Sequence, residues 1–164
     1  MGKTSATLTV GKKVPDFNST GTAGKPWRLR DAKGSALVLF FYPKDMTSGC
    51  TVEAQQFRDL QVAFRKAGAV VVGVSRDSCA SHQKFHTKEK LNFELLSDVD
   101  ESLCTLFGVI KEKNMYGKKV FGIERSTFLI DAGGVLVREW RKVKADGHAA
   151  DVLEATKALA AKRS

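Results

Sequence analysis

One continuous apolar run constrains the fold of this 164-residue chain more than any other feature. Residues 36–42 read Ala-Leu-Val-Leu-Phe-Phe-Tyr, and a short run of strand formers without polar alternation predicts a strand buried on both faces. Residues 69–75, Ala-Val-Val-Val-Gly-Val-Ser, predict a second buried strand. Strands of this kind require a sheet that is covered by packed layers on each side.

The segment between these two strands has the period of a helix. From Thr51 to about residue 67, apolar residues recur at helical spacing at Ala54, Phe57, Leu60 and Phe64. Gly68 is a suitable C-terminal stop. Two buried strands bridged by a helix predict a parallel pair with a right-handed crossover.

The rest of the chain supplies further helices and a hairpin. Residues 78–90 and 100–107 are predicted helices, residues 126–131 and 135–141 a strand–turn–strand hairpin, and residues 148–162 a closing helix. We therefore predict an α/β, thioredoxin-like fold with a mixed central sheet and helices on both faces. No repeat or linker divides the sequence, so residues 1–164 are predicted to form a single domain.

Composition excludes several classes of protein. The net charge is +9 and the pI about 9.6, but the basic residues are scattered, so no specific nucleic-acid binding is predicted. No secretory signal is expected, because the first 13 residues contain no apolar stretch of the kind such signals carry, and no apolar run reaches the roughly 18 residues of a membrane span. Three cysteines are too few for a secreted disulfide framework. These features predict a soluble cytoplasmic protein without a membrane partner.

Cys50 is the strongest candidate for chemistry. It follows the end of a buried strand and precedes a helix, and a helix N-terminus favours a thiolate over a thiol. Cysteine is also one of the most frequently buried residue types, so a purely structural role is the alternative. The neighbours of Cys50 are small and polar, which is unusual around a core residue and favours a nucleophilic role.

The sequence around Cys50 resembles the active-site segment of peroxiredoxins. Residues 41–54 read FYPKDMTSGCTVEA, in which Pro43, Thr47 and Cys50 meet the pattern Pro-x-x-x-Thr-x-x-Cys. The longer pattern is similar to the bacterioferritin-comigratory, or Q-type, subfamily. Four further matches follow in order: GVSRD at 73–77, FELLSD at 93–98, MYGK at 115–118 and GIERSTFLID at 122–131.

The resemblance implies a thiol-dependent peroxidase that reduces hydrogen peroxide and organic hydroperoxides for antioxidant defence. Cys50 would attack the peroxide and become a sulfenic acid. Thr47 would bond the thiolate and the peroxide, Arg125 would place a guanidinium beside the sulfur, and Pro43 would shape and shield the pocket. Glu53 would either pair with an arginine or act only as an acidic residue of the first helical turn.

The second thiol of the reaction is less well defined by the sequence. Many Q-type members carry a resolving cysteine five residues after the first, where this chain has Gln55. Others carry it in the next helix, at a position that falls nearer His86 than Cys79. Cys79 is the candidate resolving residue, Cys104 is predicted to be a core thiol, and without resolution the enzyme would use one cysteine.

The resemblance also implies the partners. Thioredoxin is the expected reductant, with glutaredoxin or glutathione as alternatives, and the expected state is a monomer. No metal, nucleotide, flavin or haem is predicted, because no ligand spacing or phosphate loop is present. His82 and His86 lie four residues apart on a predicted helix and are interpreted as facing solvent.

Two other functions are compatible with the sequence. A thiol–disulfide oxidoreductase would fit the predicted sheet, but the chain lacks the usual Cys-x-x-Cys pair. A basic binding or chaperone-like module would use Cys50 as a redox switch, and its binding of polyanions would be sensitive to salt.

Overall fold

A seven-stranded mixed sheet forms the centre of the computed structural model, which describes residues 8–22 and 24–162. The strands are β1 (Asn18–Thr20), β2 (Pro26–Arg28), β3 (Ala36–Phe41), β4 (Ala69–Ser75), β5 (Glu94–Ser97), β6 (Ile110–Met115), β7 (Lys118–Ile123), β8 (Ser126–Ile130) and β9 (Leu136–Arg141). The helices are α1 (Ser48–Asp59), α2 (Gln61–Lys66), α3 (Cys79–Lys88), α4 (Ser102–Leu106) and α5 (His148–Lys162). The sheet order is β2-β1-β5-β4-β3-β8-β9, and β6 and β7 form a separate hairpin.

The two predicted buried strands are neighbours at the middle of this sheet. β3 and β4 are parallel, with Ala36 opposite Ala69 at one end and Phe41 opposite Val74 at the other. Helices α1 and α2 make the crossover between them. Gly68 follows the second helix with a φ of +78°, a left-handed conformation that glycine adopts without steric cost.

Alternate residues of β3 pack into two different cores, one on each face of the sheet. Val38 and Phe40 face the core covered by α1, α2, α3 and α5, and Leu37 and Leu39 face the core covered by α4. Every residue of β3 is buried. Full burial of an aliphatic or aromatic side chain contributes about 1.5–3 kcal/mol, so this strand is a main source of stability. The thioredoxin-like fold with helices on both faces is confirmed.

The structure differs from the sequence predictions in three places. Helix α1 begins at Ser48 rather than at Thr51, which places Cys50 inside its first turn. The predicted helix over residues 51–67 is two helices, because the chain turns at Leu60, whose N–H bonds the carbonyl groups of both Gln56 and Arg58. Strand β5 and the β6–β7 hairpin were not predicted. Among the residues described, no helix has both the length and the apolar character needed to cross a membrane.

Candidate active site

The segment after β3 delivers Cys50 to the N-terminal turn of α1. Cys50 is the third residue of this helix, and it is buried, with 1% of its surface exposed. Thr47 occupies the capping position with extended backbone, but its side chain makes no capping hydrogen bond. The first backbone N–H groups of a helix have no partner within it and carry partial positive charge. The sulfur therefore lies where backbone polarity favours a negative charge.

Arg125 brings a full positive charge to the same sulfur. Its Nη2 donates to Cys50 Sγ at 3.4 Å, and its Nη1 donates to Glu53 Oε1 at 2.6 Å. The Arg125 carbonyl accepts from Val143 N at 3.1 Å, which anchors the residue between β7 and β8. A Cβ atom at Gly49 would lie 3.1 Å from Arg125 Nη2, so glycine allows this close approach.

Glu53 is a buried carboxyl group that was not among the predicted catalytic residues. It lies one helical turn after Cys50, is 0% exposed, and its second oxygen, Oε2, has no hydrogen-bond partner among the described residues. Burial raises the pKa of Glu53 from 4.5 to about 7, although the charge and hydrogen bond of Arg125 oppose this rise. Of the two roles considered for Glu53, pairing with an arginine is confirmed. Its i+3 spacing from Cys50 was the available sequence signal.

The pKa of Arg125 reflects the same arrangement. Burial acts to lower the Arg125 pKa, but the charges of Glu53 and Cys50 outweigh burial and raise the pKa above its ordinary value. The guanidinium therefore stays charged while it donates to two different groups. Its planar fork allows one nitrogen to serve each partner, which a lysine ammonium does less well.

Thr47 and Pro43 lie in the same segment as Cys50. Pro43 is half-buried and directly follows the buried Tyr42 just after the end of β3. Thr47 is exposed, and its hydroxyl donates to the carbonyl of Lys44 at 2.9 Å. With its hydrogen used in this way, the Thr47 oxygen keeps its lone pairs available to accept a hydrogen bond.

The other two cysteines have different environments. Cys104 is 0% exposed, and burial, together with the nearby Asp98 carboxylate, raises the pKa of its thiol. It packs in the core on the α4 side of the sheet, as predicted. Cys79 is the first residue of α3 and half-exposed, and its thiol lies 3.8 Å from the carbonyl of Gly21. Cys50, Cys79 and Cys104 are all free thiols.

His82 does not face solvent, and that interpretation of the sequence was wrong. Its side chain is 0% exposed, with Nδ1 2.7 Å from Asp45 Oδ2 and Nε2 3.0 Å from the carbonyl oxygen of Leu96. His86, one turn later, is half-exposed. One carboxylate oxygen of Asp45, one of Asp77 and one ring nitrogen of His82 lie within 4.8 Å of one another, a spacing at which three such atoms could hold a metal ion. Hydrogen bonds to neighbouring groups already occupy these atoms.

Known proteins are similar to this chain in both sequence and fold. A family model described as the AhpC/TSA family matches residues 10–139. Peroxiredoxin Bcp of Bacillus subtilis is 48% identical over 156 residues, covering 95% of this chain and 99% of the relative. Peroxiredoxin Bcp of Xanthomonas campestris is 52% identical over 157 residues, covering 96% and 98%.

Solved structures of similar proteins have the same fold as this chain. The bacterioferritin comigratory protein of Xanthomonas campestris, studied for its alkyl peroxide reduction activity, superimposes with a TM-score of 0.85 at 53% identity, covering 88% of this chain and 92% of that one. A mutant of PrxQ from Xylella fastidiosa gives a TM-score of 0.90 at 42% identity, covering 94% and 99%.

Proposed function

This chain belongs to the AhpC/TSA family and is a peroxiredoxin, a thiol-dependent peroxidase, and on this premise we propose that Cys50 is the residue that reacts with peroxide. One observation carries the proposal: the Arg125 guanidinium donates to the Cys50 sulfur at 3.4 Å, inside the first turn of α1. A cation and a helix N-terminus together stabilise the anionic form of sulfur, which is the nucleophile.

The first step transfers one oxygen atom. The Cys50 thiolate attacks one oxygen of the hydroperoxide, an S–O bond forms, and the O–O bond breaks. The leaving oxygen takes a proton and departs as water or as an alcohol. Sulfur is oxidised to the sulfenic acid, and the peroxide is reduced. Arg125 is close enough to stabilise the negative charge that develops on the leaving oxygen.

Thr47 and Pro43 are proposed to bind and shield the peroxide. Because the Thr47 hydroxyl donates to the Lys44 carbonyl, we assign its oxygen as an acceptor for the hydroperoxide O–H rather than as a donor to sulfur. Pro43 lies half-buried at the start of the same segment and restricts the entry of water. The relative from Xanthomonas campestris, studied for alkyl peroxide reduction, supports organic hydroperoxides as substrates beside hydrogen peroxide.

The second step reduces the sulfenic acid with a thiol. A thiol sulfur attacks the Cys50 sulfur, a disulfide forms, and water leaves; a further thiol then restores Cys50. Cys79 is one candidate for the attacking thiol, which requires the two Cα atoms to approach within about 7 Å. An external thiol that attacks directly is the other candidate. Thioredoxin is the proposed reductant. We propose a monomeric, single-domain cytoplasmic enzyme, since cysteines of cytoplasmic proteins are usually kept reduced and three are too few for a secreted disulfide framework.

Matched cysteine variants test these assignments. Cys50→Ser should abolish peroxide consumption with thioredoxin or dithiothreitol, whereas Cys104→Ser should retain it, since that thiol lies in the opposite core. Cys79→Ser should lose turnover with thioredoxin if Cys79 resolves Cys50, and keep it if an external thiol attacks directly. Turnover that survives in Cys50→Ser would refute the proposed role of Cys50.

A further inference from the structure

The segment that precedes the Cys50 helix is anchored by one buried carboxylate. We define residues 43–47 as the Cys50 segment, and Asp45 is its buried anchor, with 4% of its surface exposed. Asp45 Oδ1 accepts from the Tyr42 hydroxyl at 2.6 Å, and Oδ2 accepts from the Ser81 hydroxyl at 2.8 Å. Oδ2 also bonds His82 Nδ1 at 2.7 Å. Two of these three partners, Ser81 and His82, belong to helix α3.

His82 connects this anchor to the central sheet. Its Nε2 lies 3.0 Å from the Leu96 carbonyl, which only accepts, so Nε2 carries a hydrogen and donates it. Its Nδ1 lies 2.7 Å from the Asp45 carboxylate oxygen Oδ2. The imidazole thus bridges the Cys50 segment to β5 through two hydrogen bonds in a fully buried site. A buried hydrogen bond between such groups is strong, and its loss removes the direct link between the Asp45 carboxylate and the His82 ring.

The backbone of the Cys50 segment depends on the same anchor. Asp45 N donates to Asp77 Oδ2 at 2.9 Å, and Asp77 is itself held by the Ser75 hydroxyl at 2.6 Å. The next residue, Met46, has a φ of +65°, a conformation that residues other than glycine rarely adopt. A strained backbone of this kind persists only where surrounding contacts fix it. The bonds of Asp45 supply those contacts.

This anchor affects the second half of the reaction, in which Cys50 must meet another thiol. With 1% of Cys50 exposed, a thiol reaches the sulfur only when the Cys50 segment and the first turn of α1 move away. That movement breaks the bonds between Asp45 and helix α3. We propose that Asp45 and His82 are positioning residues that hold the Cys50 segment against helix α3 and so set how often Cys50 becomes accessible to a second thiol. This inference rests on the proposed role of Cys50.

Hydrogen exchange on the reduced protein tests the positioning directly. The variants are Asp45→Asn, His82→Gln and their combination, with His86→Gln as a control on the same helix. Peptides covering residues 43–51 should exchange about tenfold faster in both single variants, because each loses a buried hydrogen bond to a charged group. Exchange in β3 and β4 should stay unchanged. Equal exchange of residues 43–51 in the variants and in His86→Gln would overturn the proposal.

Kinetics of the two half-reactions supply a readout that a general loss of structure would not give. Oxidation of Cys50 by hydrogen peroxide should slow in both single variants, while reaction of its sulfenic acid with dithiothreitol should become severalfold faster. The double variant should be no worse than the more affected single variant, since residues acting as one unit are not additive. Slowing of both half-reactions together, or full additivity, would overturn the proposal.

A third variant and the choice of readout guard against a variant that does not fold and against failure of the proposed role of Cys50. If His82→Gln does not fold, Ser81→Ala removes one bond to Asp45 from the edge of the same site and should raise exchange of residues 43–51 by about threefold. The exchange experiment uses no peroxide. It therefore decides whether Asp45 and His82 hold the segment even if peroxide oxidises a residue other than Cys50, an outcome that would refute the proposed function separately.

Discussion

Replacing the buried Glu53 with glutamine should stabilise the folded protein at about pH 8 while weakening the site around Cys50. Burial raises the pKa of Glu53 from 4.5 to about 7, and this value already includes the attraction of Arg125. One pKa unit corresponds to about 1.4 kcal/mol, so ionising Glu53 costs about 3 kcal/mol more in the folded protein than in the unfolded chain.

The sign follows from proton binding. The folded protein holds the Glu53 proton more tightly than the unfolded chain does, so the stability it contributes is fully present below pH 4.5 and is lost as the pH rises through about 7. Glutamine does not ionise and keeps an oxygen that accepts from Arg125. The difference in unfolding free energy between Glu53→Gln and the unmodified protein should therefore grow by about 3 kcal/mol from pH 4.5 to about pH 8.

Urea unfolding across this pH range measures the difference, with Glu154→Gln as the control because Glu154 is an exposed acid on α5. The control should show no comparable trend. Peroxide turnover of Glu53→Gln should fall about tenfold, since Arg125 loses the anion that orients it beside Cys50. A stability difference that is independent of pH would refute the conclusion that burial dominates the pKa of Glu53.

Three further predictions concern packing and charge. Gly73→Ala should lower the free energy of unfolding in urea by about 1–3 kcal/mol, because the new Cβ would lie 2.8 Å from Phe40 Cζ. In the control variant Gly122→Ala, the nearest atom to the new Cβ lies at 3.8 Å, so the loss should be much smaller. Equal losses in the two variants would contradict this prediction. Arg125→Lys should lower kcat/KM for peroxide about 100-fold, and a change below threefold would contradict the role of the guanidinium fork. Cys104 should resist iodoacetamide in the native protein at about pH 8 and react only after unfolding, since burial raises the pKa of its thiol. Labelling of the native protein at the rate found for the unfolded protein would contradict this prediction.

The central strands and the location of Cys50 were predictable because local patterns determine them. The apolar runs at 36–42 and 69–75 became β3 and β4, and the hairpin at 126–141 became β8 and β9. These segments are buried on the faces that their apolar residues indicate. Cys50 then follows from the position of the strand end, which places it at a helix N-terminus.

Elements that depend on distant partners were not predictable. Strand β6 is polar and largely exposed, and its ladder comes from pairing with β7 rather than from a buried face. Strand β5 has four residues and is defined by its neighbours β4 and β1. His82 follows the same rule, because its buried partner Asp45 lies 37 residues away and no local pattern marks the pair.

The most direct test of the account is to find which sulfur the peroxide oxidises. The fully reduced protein is treated with one equivalent of hydrogen peroxide, and its intact mass and peptide map are recorded. Every product should involve Cys50, either as a gain of about 16 or 32 mass units on that residue or as a loss of about 2 units in a disulfide between Cys50 and Cys79. Oxidation of Cys79 or Cys104 with Cys50 left as a free thiol would contradict the account.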